Sequence, residues 1–393
     1  MLPDPRPLYT RQFLILCLSH ALFGASFTMI IPELPAYLSS LGGEDYKGLI
    51  ISLFTLTAGL SRPFSGKLTD TIGRVPVMVI GTLVCVVCSL LYPFLSSVAG
   101  FLLLRLFHGF STGFKPTAST AYVADIVPDH RRGEAMGILS VSMNTGASIS
   151  PPFGSFLAQA YSLEVMFYVS SGLALLSILM LMGLKETLKE KERFRPALLL
   201  VKKNEIIDAS AIAPAIVTLL VYMSYGVILT IVPDYSEHLG MANKGLFLTS
   251  LTFCSLGSRL FAGRASDRFG RIPVLKVGMI MTALSLVYMG WSHTPFHLMV
   301  SSGCLGFAVG IAGPSVFAWT IDRAAPDRRG RAVATVYIAL EVGIGLGAIG
   351  SAWIYANQAD HFGAAFYVTA AITILALPYL QYVLPRRDRR RAS

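Results

Sequence analysis

Charge is scarce in this chain. Only 14% of its 393 residues are Asp, Glu, Lys or Arg, against about 25% in ordinary soluble domains. Hydrophobic residues make up 54%. That balance excludes a soluble globular domain and a disordered chain. Cysteine is also scarce. Cys17, Cys85, Cys88, Cys254 and Cys304 all fall inside apolar runs. None has metal-ligand spacing with a histidine, so neither a disulfide nor a metal site is expected. There is no Gly-x4-Gly-Lys-Ser/Thr loop and no cytoplasmic domain to hold one, which argues against ATP-driven work. No Ser-His-Asp or metal cluster suggests an enzyme, and no cofactor is implied. The first apolar run is too long for a removable signal peptide, and it lacks a small-residue cleavage site.

What remains is apolar and periodic. Twelve segments stand out, at 11–38, 47–68, 75–96, 99–124, 134–160, 163–184, 210–236, 244–265, 273–291, 295–321, 331–356 and 362–384. Each is about long enough to cross a hydrocarbon core of ~30 Å. The net charge of +10 might suggest nucleic acid, but the positions of the cations argue otherwise. Of the Lys and Arg residues, all but Lys47, Lys244, Arg62, Arg259, Arg105 and Lys115 fall at alternate ends of the segments. That asymmetry assigns those ends, and both termini, to the cytoplasm of a cell membrane. The expected fold class is all-α integral membrane, with twelve transmembrane helices in two six-helix repeats. Residues 1–184 would form the first half, 185–209 a cytoplasmic linker, and 210–393 the second half with a basic tail. The linker's positive charges would touch anionic lipid.

The repeat is explicit. SRPFSGKLTDTIGRVPV (61–77) returns as SRLFAGRASDRFGRIPV (258–274), offset by 197 residues and identical at nine of seventeen positions. In this motif Gly66 and Gly263 are expected to end an apolar helix where a neighbouring helix can come close. Asp70 and Asp267 sit at helix-to-loop junctions, where a carboxylate can meet a helix N-terminus. Gly73 and Gly270 allow a tight turn, and Arg74 and Arg271 can pair with carboxylates. The fourth and tenth segments end in Asp125 and Asp322, again 197 residues apart.

The pattern Gly-x-x-x-Asp-x-x-Gly-Arg resembles the signature of the major facilitator superfamily, and the resemblance covers the whole chain. It implies a monomeric secondary transporter whose halves rock around a central site, with Asp125–Arg74 and Asp322–Arg271 latching the cytoplasmic side. Arg105-x-x-His108-Gly109 resembles the family's fourth-helix signature, with His108 in place of Gln. In proton-coupled members that arginine is linked to coupling, so Arg105 inherits the expectation. Gly137, Gly146, Ser150, Pro151 and Gly154 resemble the antiporter signature of the fifth helix, with Ser150 and Ser155 in place of two glycines. That signature is associated with drug exporters.

Other polar residues within the membrane are candidates by cost alone. Glu33 lies between Pro32 and Pro35, and His20 lies on the same segment. Lys115 has no place in the family pattern; at its depth it is expected to be buried, facing a cavity, where it would hold a substrate anion or carry a proton. Glu341 is the repeat partner of Asn144. The expected function is proton-coupled export of a small amphipathic or lipophilic compound. The alternative is a uniporter or proton symporter for an organic anion. A non-transporting receptor is the third reading, and no additional domain supports it. Partners are then a small-molecule substrate, protons and membrane lipid, with no nucleic acid.

Overall fold

A computed structural model describes residues 9–128, 131–188, 190–195, 198, 206–325 and 329–383. All regular structure among them is helical. The long helices are α1 (Arg11–Met29), α2 (Lys47–Thr71), α3 (Arg74–Leu91), α4 (Val98–Ile126), α5 (Arg132–Ala160) and α6 (Leu163–Met182). They continue as α7 (Ile212–His238), α8 (Leu246–Phe269), α9 (Arg271–Gly290), α10 (Pro295–Arg323), α11 (Arg329–Tyr355) and α12 (Phe362–Ile374). These match the twelve apolar segments within a few residues, except that α1 stops at Met29, well short of residue 38, and α12 passes into a π turn over Tyr379–Val383.

Helix starts follow local chemistry. Thr10, Ser97, Ser162 and Thr294 each accept a backbone N–H three residues on, the arrangement that satisfies orphan donors at a helix N-terminus. Pro32 and Pro35 break the first segment. A single tight turn, Ile31–Glu33, separates α1 from a short helix over Leu34–Ser40. Among the described residues, eight helical segments are apolar enough throughout to pass as membrane spans, and the bent α8 makes a ninth. α2, α4 and α5 are long enough at 25, 29 and 29 residues. They fall short in apolar content because they carry polar side chains into the interior.

The structure divides into two compact units, residues 1–33 with 56–202, and 34–55 with 203–393. Within the first, α1 packs on α5 and α6, and α3 on α4 and α6. Within the second, α7 packs on α11, and α9 on α10 and α12. The sequence repeat is thus a repeat of helix pairing. The halves read from sequence follow chain order, whereas the units follow packing. Residues 34–55 join the second unit because the short helix lies on α7, and Gly48 lets its backbone lie against Ala348 and Ala352 of α11.

Close approach uses glycines, though not all those expected. A Cβ at Gly66, Gly263 or Gly137 would meet nothing within 4 Å. Gly66 and Gly263 also lie inside α2 and α8 rather than at their ends. The tight crossings fall on Gly113 and Gly310, which lie 197 residues apart in α4 and α10. A Cβ there would overlap the hydroxyls of Ser61 and Ser258. In the fifth-helix signature, Gly146 and Gly154 do bear on α1, at the carbonyls of Ala21 and Met29.

Candidate functional site

The cytoplasmic loops contain the same cluster twice. Arg74 Nε donates to Asp125 Oδ2 at 2.9 Å, and its NH1 lies 3.5 Å from Asp70. Arg271 Nε donates to Asp322 Oδ2 at 3.0 Å, and its NH1 pairs with Asp267. The Asp322 carboxylate, followed by that of Asp267, holds the Arg271 guanidinium above its usual range. Gly73 and Gly270 turn the chain at φ +120° and +89°, a region that favours glycine. These pairs are partly exposed, so each contributes only about 0–1 kcal/mol. Their value is geometric: an arginine on one helix is tied to the end of another.

One participant escaped the motif. The Glu186 carboxylate caps α3, accepting from Arg74 N and Val75 N at 3.1 Å each. It also accepts from Thr187 N at 2.8 Å and Leu188 N at 2.9 Å. The carboxylate at the α3 N-terminus is therefore Glu186; Asp70 turns to Arg74.

The interior of the first unit is polar along a continuous line. Arg105, 2% exposed, donates to Tyr92 Oη at 3.3 Å. Tyr92 Oη lies 3.3 Å from His108 Nδ1, and His108 Nε2 lies 3.3 Å from Cys85 Sγ. Cys85 Sγ lies 3.3 Å from Ser26 Oγ, which donates to Ser170 O at 2.7 Å. Arginine only donates, so one consistent assignment runs the protons from Arg105 toward Ser170 and leaves His108 neutral with its proton on Nε2. Tyr92 is held from the other side by stacking on Phe167, with ring centroids 4.9 Å apart.

Glu33 is 7% exposed, at the break in the first segment. Its Oε1 accepts from Ser155 Oγ at 2.6 Å. Ser150 Oγ lies 2.8 Å from Thr28 Oγ1. The two serines that replace glycines in the fifth-helix signature therefore make polar contacts to the first segment. Pro151 lies between them, inside α5. Lys115 is fully buried among α1, α4 and α6, bonded to Ser19 and Ser177. His20 is 4% exposed, and its Nδ1 lacks a hydrogen-bond partner.

In the second unit Glu341 is buried on α11, at 7% exposure. A further group was missed in the sequence. Tyr222 and Tyr225 of α7 have ring centroids 6.4 Å apart, and Phe317 of α10 lies 4.9 Å from Tyr337 of α11. The charge of Arg259, on α8, lies within electrostatic reach of Tyr222 and Tyr225. All five are half-buried, and they come from four helices. Aromatic side chains within the field of a guanidinium suit a flat amphipathic molecule. The spacing of Tyr222 and Tyr225, one helical turn apart, was the available signal. At the other end of α7, Asp234 pairs with Lys47 at 2.5 Å, each side chain 12% exposed. Among the described residues no cluster of His, Cys, Asp and Glu is arranged to hold a metal, and all five cysteines are free thiols.

A family model described as Major Facilitator Superfamily matches residues 16–253 and 214–393. The multidrug resistance protein MdtG of Serratia proteamaculans is 29% identical, over 99% of this chain and 98% of its own length. The protein of that name from Escherichia coli O81 is 27% identical, over 98% and 97%. Among solved structures, the human organic anion transporter MFSD10 superposes with a TM-score of 0.73 at 18% identity, covering 94% of this chain and 99% of its own. A D-xylose-proton symporter gives 0.74 at 17% identity, covering 94% and 96%. At these identities the two structures speak to fold alone.

Proposed function

The chain belongs to the Major Facilitator Superfamily, and from that premise we propose that it exports a small amphipathic or lipophilic compound in exchange for protons. Its halves, residues 1–184 and 210–393, alternate access to a central site. It works as a monomer in the inner or plasma membrane, with both termini in the cytoplasm. The observation that carries the coupling is Glu33. It is a buried carboxylate whose partner among the described residues is the neutral hydroxyl of Ser155. A carboxylate in the membrane without a paired cation is costly when ionised, so it is suited to take up a proton and release it. Arg105, held by Tyr92, tunes that exchange electrostatically. Export rather than uptake is supported by the fifth-helix signature, whose Gly146, Ser150, Gly154 and Ser155 all bear on the first segment. The multidrug resistance proteins among the relatives point the same way. The duplicated arginine–aspartate clusters hold the cytoplasmic side during the cycle.

The charge of Arg259, within electrostatic reach of Tyr222 and Tyr225, favours a second reading, transport of an aromatic anion by uniport or proton symport. One experiment separates the two. The protein is reconstituted in liposomes with a trapped pH dye and challenged with lipophilic cations and organic anions. Proton movement opposite to the compound, lost in Glu33→Gln, is expected. Flux without proton movement would end the antiport reading, and proton movement alongside an anion would establish the second.

A further inference from the structure

Lys115 is a base buried in the first unit, and its hydrogen bonds can be accounted for atom by atom. Nζ donates to Ser19 O and Ser19 Oγ, both at 2.9 Å, and to Ser177 Oγ. The face of Phe23 lies 4.7 Å away. Ser19 Oγ also donates to Ser177 O at 3.0 Å, and Ser177 Oγ to Ser19 O at 2.8 Å. Each hydroxyl has one proton, and these reciprocal bonds use both. All three oxygens around Nζ are therefore acceptors. Only an ammonium, with three N–H donors and no lone pair, satisfies that cage. A neutral amine has two donors and one lone pair, so one serine must turn its proton toward Nζ and drop its bond to the opposite helix.

We propose that Lys115 is a proton-operated clasp: as an ammonium it locks α1 to α6 through Ser19 and Ser177, and loss of its proton releases one side of the lock. The titratable groups within electrostatic reach of it are His20 from α1 and Cys85 from α3, and α6 presents Ser177. As pH rises the N–H bond at Lys115 breaks and the proton passes to bulk water, taking the positive charge out of the cage. The lock continues along the helices, because Ser26 and Ser170 repeat the arrangement seven residues away on each. That pair does not touch the lysine and stays closed, which makes the Ser19–Ser177 level a local hinge.

The proposal deepens the proton-coupled reading, and its test does not use transport. Hydrogen–deuterium exchange is followed in peptides covering residues 13–23 and 170–181, from about pH 6 to about pH 9, with intrinsic rates divided out. Wild-type protection should fall about fivefold or more across that range. Lys115→Arg, always charged, should stay protected throughout. Lys115→Met and Ser177→Ala should be unprotected throughout. Protection that does not change with pH in the wild type would overturn the proposal. So would a Lys115→Arg protein that follows the wild-type pH response. If Lys115→Met fails to fold, the wild type and Lys115→Arg still decide. A responsive clasp in a protein whose transport moves no protons would remove the coupling reading and leave the clasp.

Discussion

Glu186→Ala should loosen the cytoplasmic end of the first unit more than any change in the arginine pairs beside it. The wild-type carboxylate accepts four backbone N–H groups between 2.8 and 3.1 Å, two from the first turn of α3 and two from the chain after α6. A lost side-chain cap costs about 0.5–2 kcal/mol, and a hydrogen bond to a charged group contributes about 1.5–3 kcal/mol. The site is only half-buried, so water replaces part of what is lost. The expected net cost is about 1–2 kcal/mol, which for a unit of this size lowers the melting temperature by roughly 2–8 °C. Glu186→Gln keeps an acceptor and loses the charge, so it should fall by less. The repeat supplies a control, because the residue 197 positions on is Val383 and offers no carboxylate to α9. Tryptophan-independent thermal unfolding in detergent, read by a thiol-reactive dye at the buried cysteines, measures the shift. If Glu186→Ala melts within about 1 °C of the wild type, the cap is solvent-replaceable and the reasoning fails.

Other perturbations test other joints. The Asp208 carboxylate is held below the usual range, chiefly by the Ser210 hydroxyl and further by Arg331. That stabilisation is present above the unfolded value of about 4 and is lost as pH falls through the lower folded value. Asp208→Asn should therefore melt lower at pH 7 and show a flatter loss below about pH 4, read by melting temperature against pH. Gly146→Ala pushes a methyl into the Ala21 carbonyl and should cost about 1–3 kcal/mol. Gly137→Ala faces open space and should gain up to about 1 kcal/mol of helix propensity; equal melting of the two would refute the packing assignment. Asp234→Asn leaves Lys47 without its 2.5 Å partner in a largely buried place. Maleimide labelling of a cysteine placed at Ser39 should then rise severalfold, and unchanged labelling would show that this pair does not hold residues 34–55 in place.

Helix bounds and the paired loops were legible because each is constrained twice. A helix end must satisfy hydropathy and a cap together, as at Ser97 and Thr294. The Arg74–Asp125 and Arg271–Asp322 pairings were implied by the family resemblance, and the recurrence of the same residues at one offset carried the expectation from one copy to the other, because a fold repeated in sequence repeats its contacts. Glu186 had no such second copy. It reads in sequence as one acid in a basic linker, and only the fold brings it to the α3 N-terminus.

Rotation is what sequence pattern yields least readily in a membrane helix. Hydropathy gives depth, but where every face is apolar the small polar residues alone mark which side meets protein. Gly66 was assigned a close approach from its place in the motif. The approach falls at Gly113, because Ser61, one helical face away on α2, is the residue that points toward α4. The same reasoning run forward would have found the clasp. Ser19 and Ser26 are seven apart on α1, Ser170 and Ser177 are seven apart on α6, and the helices run antiparallel. Ser19 must then face Ser177 wherever Ser26 faces Ser170, as they do. Two such rungs fix both the register and the rotation of the pair. A lysine one helix away then donates to the oxygens the rungs supply. Lys115 lacks a repeat partner, a family position and a counter-charge among its described contacts. Its burial makes sense only through residues that composition would class as filler.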